Sequence, residues 1–269
     1  MKQNIAIIGC GWLGRPLAHH LLSLGFAVAG STRSAEKAKQ LKSEGIDATV
    51  LLLSETTLEG DTDRLLINAT QVIINIPPGL RGNPNKDHVA EIDQLVKRIN
   101  ASNVAHVIYC SSTSVFQNDE SFRVITEESL PNSNDNSGRQ LIQIEKNLKE
   151  NSNFITTIIR PSGLIGADRH PGKILAGKSE ISDPESPINL IHRDDVIGVI
   201  SELLDEKHWG QTINLAMPQH PSKKDYYSNY AKTHGLEAPN FDLDTPSKGK
   251  IIDSGQSLDH LTYRLKHSL

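Results

Sequence analysis

This sequence has few cysteines, no long apolar run and no block of charge of one sign. Its 269 residues include two cysteines, Cys10 and Cys110, and neither belongs to a Cys-x-x-Cys pair. That excludes a disulfide framework and offers no zinc-ligand spacing, so no metal site is expected. No run of eighteen apolar residues is present, which leaves no segment suited to a membrane-spanning helix. The formal net charge of −4 contains no basic block, which argues against nucleic acid or an anionic membrane as the main partner. The first residues read as a strand rather than a secretory leader, so a cytoplasmic protein with reduced thiols is expected. Internal repeats and low-complexity tracts are missing too. The remaining partner class is a small molecule, as substrate or effector.

What is present starts at residue 4. Asn4–Ile8 reads as a buried strand and runs straight into Gly9-Cys10-Gly11-Trp12-Leu13-Gly14. Leu17, Leu21 and Leu24 then recur at helical spacing until Gly25, and residues 27–31 read as a second strand. The glycines therefore occupy the first turn of a β-α-β unit, where each has a physical use. Gly9 permits the tight turn, Gly11 lets the backbone approach a pyrophosphate, and Gly14 lets helix and strand pack closely. The helix N-terminus adds unpaired N–H groups and a partial positive charge for phosphate. A dinucleotide cofactor is expected.

A second absence bears on which dinucleotide. An NAD-selective site places an acid about 20 residues past the glycines to hold the ribose 2′-hydroxyl. No acid occurs between Gly14 and Glu36. Instead Arg33, with Thr32 and Ser34 beside it, matches the charge and geometry of a 2′-phosphate. The alternative is a solvated Arg33 in a loop. NADP(H) is expected ahead of NAD(H).

Strand signals continue at 49–53, 72–76, 104–110 and 154–160. Helical periodicity lies between them at Ile92, Leu95, Val96 and Ile99, and at Leu141, Ile144 and Leu148. Alternation of this kind predicts an α/β fold, a doubly wound parallel-sheet NAD(P)-binding Rossmann fold. Ligands should then bind beyond the carboxyl ends of the strands, where residues 77–79, 111–114 and 161–163 form loops facing one crevice. Residues 79–87 and 118–137 are polar and read as mobile loops. Beyond Gly166 come a strand at 188–192 and a helix capped by Asp194 or Asp195, bearing Val196, Val199, Ile200, Leu203 and Leu204. A strand at 212–216, a helix from Pro218 to Gly235 and a weakly patterned polar terminus follow. The expected organisation is a Rossmann domain over 1–165 and a small C-terminal substrate lobe over 166–269, with 188–216 returning to the first domain.

Four segments carry a family resemblance: Gly9–Gly14, Tyr109–Phe116 (Tyr-Cys-Ser-Ser-Thr-Ser-Val-Phe), Arg160–Gly166 and Asn189–Asp195. Through them the chain resembles the extended short-chain dehydrogenase/reductases of the NAD-dependent epimerase/dehydratase superfamily. Residues 136–139, 169–172, 176–178 and 248–253 make it similar to the atypical YeeZ-like group within it. The resemblance implies Gly9, Gly11, Trp12, Leu13 and Gly14 at the pyrophosphate and Thr32, Arg33 and Ser34 at the adenosine ribose. It also implies Ile76 and Pro77 beside the cofactor, with Ser111, Pro161 and Ser162 near the nicotinamide. Ser112 would bond a substrate oxygen, with Thr113, Ser137, Asn189, Arg169 and Lys173 lining the rest. A homodimer through helices near 88–100 and 139–151 is the family arrangement.

One part of the family pattern is missing. The reaction centre pairs a Tyr acid/base with a Lys four residues later, because a phenol near pKa 10 needs a cation to exchange protons at neutral pH. Here Ser137 stands at the Tyr position and Leu141 at the Lys position. Two readings follow. In one the chain is an oxidoreductase or epimerase/dehydratase-like enzyme on a small polar or nucleotide-sugar-like substrate, with His170 as the candidate proton donor. His192 and Tyr109, also considered, read as structural. In the other it is a non-catalytic NADP(H) sensor or regulatory binder. Arg169, His170 and Lys173 form either an anion-binding cluster or a solvated loop.

Overall fold

Short β-branched strands alternate with amphipathic helices, and the computed structural model, which describes residues 4–269, assembles them into a mostly parallel sheet flanked by helices. The strands are β1 (Asn4–Ile8), β2 (Ala27–Thr32), β3 (Asp47–Leu53), β4 (Leu58–Gly60), β5 (Gln71–Ile74) and β6 (His106–Cys110). After them come β7 (Val124–Ile125), β8 (Ile155–Pro161), β9 (Gly163–Ile165), β10 (Leu190–His192), β11 (Thr212–Leu215) and β12 (Ile251–Ile252). The helices are α1 (Gly14–Ser23), α2 (Ala35–Ser43), α3 (Thr62–Leu66), α4 (His88–Asn100) and α5 (Asn136–Lys149). The remaining four are α6 (Pro171–Leu175), α7 (Arg193–Leu203), α8 (Lys223–Thr233) and α9 (Gly255–Asp259).

Eight strands form one sheet in the order β11-β8-β6-β5-β1-β2-β3-β4. β1 lies parallel to both β2 and β5, so the strand order reverses at β1. The pairs β1–β2, β1–β5, β2–β3, β5–β6 and β6–β8 are parallel, and the short β4 runs antiparallel to β3. Ile5, Ile7, Ile8, Ile73, Ile74, Val107, Ile108 and Ile158 are almost completely buried, as expected where helices cover both faces of a parallel sheet. The apolar stripes Leu17/Leu21, Ile92/Leu95/Ile99 and Leu141/Ile144/Leu148 face inward from α1, α4 and α5. Ser34, Asp61, Asp87, Asp135 and Ser222 each cap a helix by accepting a backbone N–H. α1 has no side-chain cap.

Several expectations need correcting. β5 ends at Ile74 rather than 76, so Ile76 and Pro77 stand beyond the strand. Pro161 closes β8 and Gly163 opens β9, leaving Ser162 alone between two strands. Residues 118–137 are not one loop. They contain β7 and the start of α5, and β7 pairs in parallel with β12 of the terminus that shows little pattern. α7 begins at Arg193, so neither Asp194 nor Asp195 caps it; His192 Nδ1 accepts the Asp194 N–H at 3.2 Å. Asp195 is fully buried and instead binds the chain's last residues. It accepts the Tyr263 hydroxyl at 2.9 Å and the backbone N–H groups of Lys266 and His267. The helices α2, α3 and α6 and the strands β4 and β9 are short or polar, and the periodicity does not announce them.

By contact density the chain falls into two compact units. The first runs up to Ser112 and adds Asn134–Ile159 and Ile197–Thr212; the second comprises Thr113–Ser133, Arg160–Val196 and Ile213–Leu269. Among the described residues no helix is long and apolar enough to cross a membrane.

Candidate functional site

In the first unit the glycine string is the turn between β1 and α1. Gly9 has φ +102°, and a Cβ there would lie 2.5 Å from the Asn75 carbonyl oxygen. A Cβ on Gly14 would lie 2.2 Å from the Gly9 oxygen. Both positions are closed to any other residue by the protein's own backbone. Gly11 differs: it is exposed, and nothing stands within 4 Å of where its Cβ would be. Packing therefore does not account for that glycine, whereas a bound group approaching the backbone would. Ser31 Oγ accepts the Gly9 N–H at 3.1 Å, and Asn75 Nδ2 donates to the Gly9 oxygen at 3.1 Å. Ile76 Cγ1 is 3.6 Å from the Gly9 Cβ position, so Ile76 sits beside the turn. Trp12 is half-buried and Leu13 buried.

Thr32, Arg33 and Ser34 follow β2 directly. Ser34 Oγ accepts the Lys37 N–H at 3.4 Å as the cap of α2, which leaves its hydroxyl hydrogen to donate elsewhere. Arg33 is exposed. The carboxyl end of β2 thus brings a guanidinium and two hydroxyls next to a glycine turn.

At the end of β6, Ser111 N–H donates to the Ile159 oxygen at 2.8 Å and Ser111 Oγ donates to Glu145 Oε1 at 2.5 Å. Ser111 and Ser112 are half-buried. Glu145 lies on α5 with 4% of its surface exposed, two turns beyond the half-buried Ser137 and one beyond Leu141, which is 2% exposed. Tyr109 is fully buried with its hydroxyl unpartnered; burial, then Glu145 and Cys110, hold it well above the usual phenol range. Burial pushes the Cys110 thiol up to about 12, and Cys10 likewise to about 12. Neither thiol is a nucleophile at neutral pH.

The other expected residues belong to the second unit. Thr113 is buried, Pro161 is buried, and Ser162 is 7% exposed with its hydroxyl unpartnered. Asn189 holds β12: its Oδ1 accepts the Ile252 N–H at 2.8 Å and its Nδ2 donates to the Lys250 oxygen at 2.8 Å. Arg169 and Lys173 are exposed around His170. His170 caps α6, its Nδ1 accepting the Gly172 N–H at 3.1 Å. That fixes the neutral tautomer, so Nε2–H donates to the Tyr226 hydroxyl at 3.0 Å while the ring stacks on Tyr230 at 4.0 Å. Burial, with His234 and Lys173, lowers its pKa to about 4.

Among the described residues, His192, Asp194 and His267 bring ligand-type atoms within 4.8 Å of one another. The two imidazoles stack at 3.7 Å with 16° between their planes, which aims their in-plane lone pairs side by side rather than at one point. The His192 and His267 Nδ1 atoms already bond Asp194 N–H and Asp195. The arrangement is a poor cage for an ion.

Residues 9–207 match the protein family described as NAD(P)H-binding. The chain belongs to that family. Protein YeeZ of Escherichia coli K12 is 35% identical over 269 residues, covering 98% of this chain and 96% of that protein. A conserved protein from Silicibacter pomeroyi DSS superposes with a TM-score of 0.79 at 20% identity, over 99% of this chain and 94% of that one. MoeE5, solved in complex with UDP-glucose and NAD, superposes at 0.78 and 15% identity with the same coverage. These structures share the fold. The chain is an NAD(P)-binding protein.

Sequence reasoning missed three residues that shape the NAD(P)-binding protein's candidate site. Asn75 and Ser31 brace the glycine turn from 66 and 22 residues away, and no local pattern marks them. Glu145 did leave a signal: it is an acid inside the apolar stripe Leu141/Ile144/Leu148, which a solvent-facing residue would not share.

Proposed function

We propose that this protein takes NADP(H) in preference to NAD(H). We further propose that it serves as an oxidoreductase or epimerase/dehydratase-like enzyme on a small polar or nucleotide-sugar-like substrate. The observation that carries the cofactor choice is Arg33, an exposed guanidinium at the end of β2 where a carboxylate would select NAD. The open space over Gly11 and the uncapped amino end of α1 support a phosphate group at the turn. In this reading Gly9, Gly11, Trp12, Leu13 and Gly14 hold the pyrophosphate. Thr32, Arg33 and Ser34 hold the 2′-phosphorylated ribose, Ile76 and Pro77 flank the cofactor, and Ser111, Pro161 and Ser162 serve its nicotinamide end. When bound, the cofactor supplies a hydride donor or acceptor.

Ser112 would bond a substrate oxygen, with Thr113, Ser137 and Asn189 nearby. The second unit acts as the substrate lobe, with Arg169 and Lys173 for an anionic group. UDP-glucose in the MoeE5 complex supports that substrate class. The part played by His170 is structural here, because both ring nitrogens are engaged in capping α6 and binding Tyr226.

One observation favours a second reading, a sensor that binds NADP(H) without turnover. Ser137 and the buried Leu141 give α5 neither a phenol nor an ammonium on this face. The decisive measurement is affinity for NADPH and NADH by fluorescence titration. NADPH should bind about a hundredfold more tightly, and Arg33→Ala should remove most of that difference. Equal affinities in the native protein reject the cofactor choice. Hydride turnover across a nucleotide-sugar panel selects the enzyme; tight binding without turnover selects the sensor.

A further inference from the structure

We propose that residues 79–83 are the tip of a flap that closes over the bound cofactor, and that Asn136 and Gln140 of α5 hang it. The inference rests on the cofactor reading above, which puts Ile76 and Pro77 beside the dinucleotide. It starts from where the flap is rooted. β5 lies next to β1, where the strand order reverses, and ligands of such sheets bind beyond that point. Asn75 Nδ2 donates to the Gly9 oxygen, and Ile76 sits beside the same turn. Arg81 comes five residues later and lies at most about 17 Å from Ile76, near enough for the tip to cover a group held at the turn.

The base and the tip are fastened differently. At the base, Asn136 Nδ2 donates to the Pro84 oxygen at 2.9 Å and Gln140 Nε2 to the Lys86 oxygen at 3.0 Å. Gln140 Oε1 also accepts the His88 N–H at 2.6 Å, so one amide grips the chain on both sides of Asp87. From the β3–β4 connection, Glu55 Oε1 accepts the Asp87 N–H at 2.9 Å, and Lys86 Nζ pairs with Glu91 Oε2 at 2.6 Å. The tip is bonded only to its own loop. Gly82 and Asn83 donate to the Gly79 oxygen at 3.1 and 3.4 Å, and the Asn83 oxygen accepts the Lys86 N–H at 3.2 Å. Arg81 and Asn83 are exposed, and among the described residues their side chains make no hydrogen bond or ion pair.

Residue chemistry explains the division. Pro77, Pro78 and Pro84 bracket the tip and carry no N–H, so backbone donors that would fasten it to a neighbour are missing on both sides. Gly79, at φ +73°, turns the chain between them. A closed turn on donor-free stalks swings as one piece while its base stays fixed on α5. Asn136 and Gln140 stand directly before Ser137 and Leu141, which occupy the Tyr and Lys positions of the family pattern. α5 lacks that pair and holds the flap from the neighbouring positions. A flap of this kind slows release of the cofactor more than its entry.

The test is tryptic cleavage after Arg81, timed by mass spectrometry with and without NADPH, against cleavage after the exposed Lys178 in the second unit. Saturating NADPH should slow cleavage after Arg81 about tenfold and move the Lys178 reference by less than about twofold. In the double variant Asn136→Ala/Gln140→Ala that protection should fall below about threefold, and NADPH should leave about tenfold faster in stopped-flow fluorescence. The association rate should hardly change. NADPH that binds the native protein by fluorescence yet leaves the Arg81 rate unaltered overturns the flap while the cofactor reading survives, and that measurement needs no variant. Equal slowing at both sites is protection of the whole chain and overturns the flap as well. A double variant with native protection and native release overturns the hanging role. Native protein that binds no NADPH overturns both the flap and the reading beneath it.

Discussion

The two ends of the central strands in the first unit are built on opposite rules. At the amino ends of β5 and β6, every polar atom of one buried histidine is spent inside the protein. His106 Nδ1–H donates to Gln71 Oε1 at 2.9 Å, and His106 Nε2 accepts from the Thr157 hydroxyl at 2.7 Å. Thr157 Oγ1 in turn accepts the Gly210 N–H at 3.1 Å, Gln71 Nε2 donates to the Leu204 oxygen, and Trp209 stacks on the ring at 4.4 Å. At the carboxyl ends some positions are left open beside groups that are bonded within the protein. Space stands open over Gly11, α1 starts without a side-chain cap, and Ser111 is held as an acceptor. A closed network stabilises a fold; an arrangement finished only by a ligand is a binding surface.

Three changes would break or sharpen that contrast. The largest effect is expected from Gly14→Ala, whose methyl group would meet the Gly9 oxygen at 2.2 Å. Turn and helix must separate, so stability should drop by about 3 kcal/mol and cofactor binding should go with it, as read by urea denaturation and fluorescence titration. A tolerated Gly14→Ala would mean the turn is not the rigid element described above.

The amino ends should respond to acid. Burial lowers the His106 pKa from its usual value to about 3. Between about pH 6.5 and 3 the unfolded chain binds a proton there that the folded chain does not, so stability falls as pH is lowered through that window. Between pH 6.5 and 4.5 the loss from this group should be about 2 kcal/mol, and His106→Asn, which cannot titrate, should show a flatter decline. Identical pH profiles for the two proteins would remove His106 from the account. The smallest change in free energy, and the cleanest separation of the two ends, comes from Gly11→Ala. Its thermal midpoint should match the native protein, while NADPH affinity should fall about tenfold. Loss of stability in that variant would make Gly11 a packing glycine after all.

Much of this was legible in the sequence because it is local. Strand and helix periods placed the β1-turn-α1 unit, the stripes of α4 and α5 and the burial of Tyr109 correctly, since each depends on neighbours within a few residues. The absence of an acid before Glu36 needs no coordinates to be seen. Residues 118–137 and the terminus misled for one shared reason. β7 and β12 are two residues each, too short to show a period, and they exist by pairing with each other across more than a hundred positions. Aspartates ahead of an apolar helix look like caps, yet Asp195 is drawn inward by the Tyr263 hydroxyl and two backbone N–H groups of the terminus.

The sequence by itself determined the alternation of strands and helices, the glycine turn and the chemistry available at its rim, because backbone freedom and side-chain periodicity are properties of adjacent residues. Tertiary structure decided which distant polar groups meet: Asn75 with Gly9, Glu145 with Ser111, Asn189 with β12. A hydrogen bond or a buried charge has no fixed worth until its partner and its distance from water are set, and in this chain those partners lie tens of residues apart.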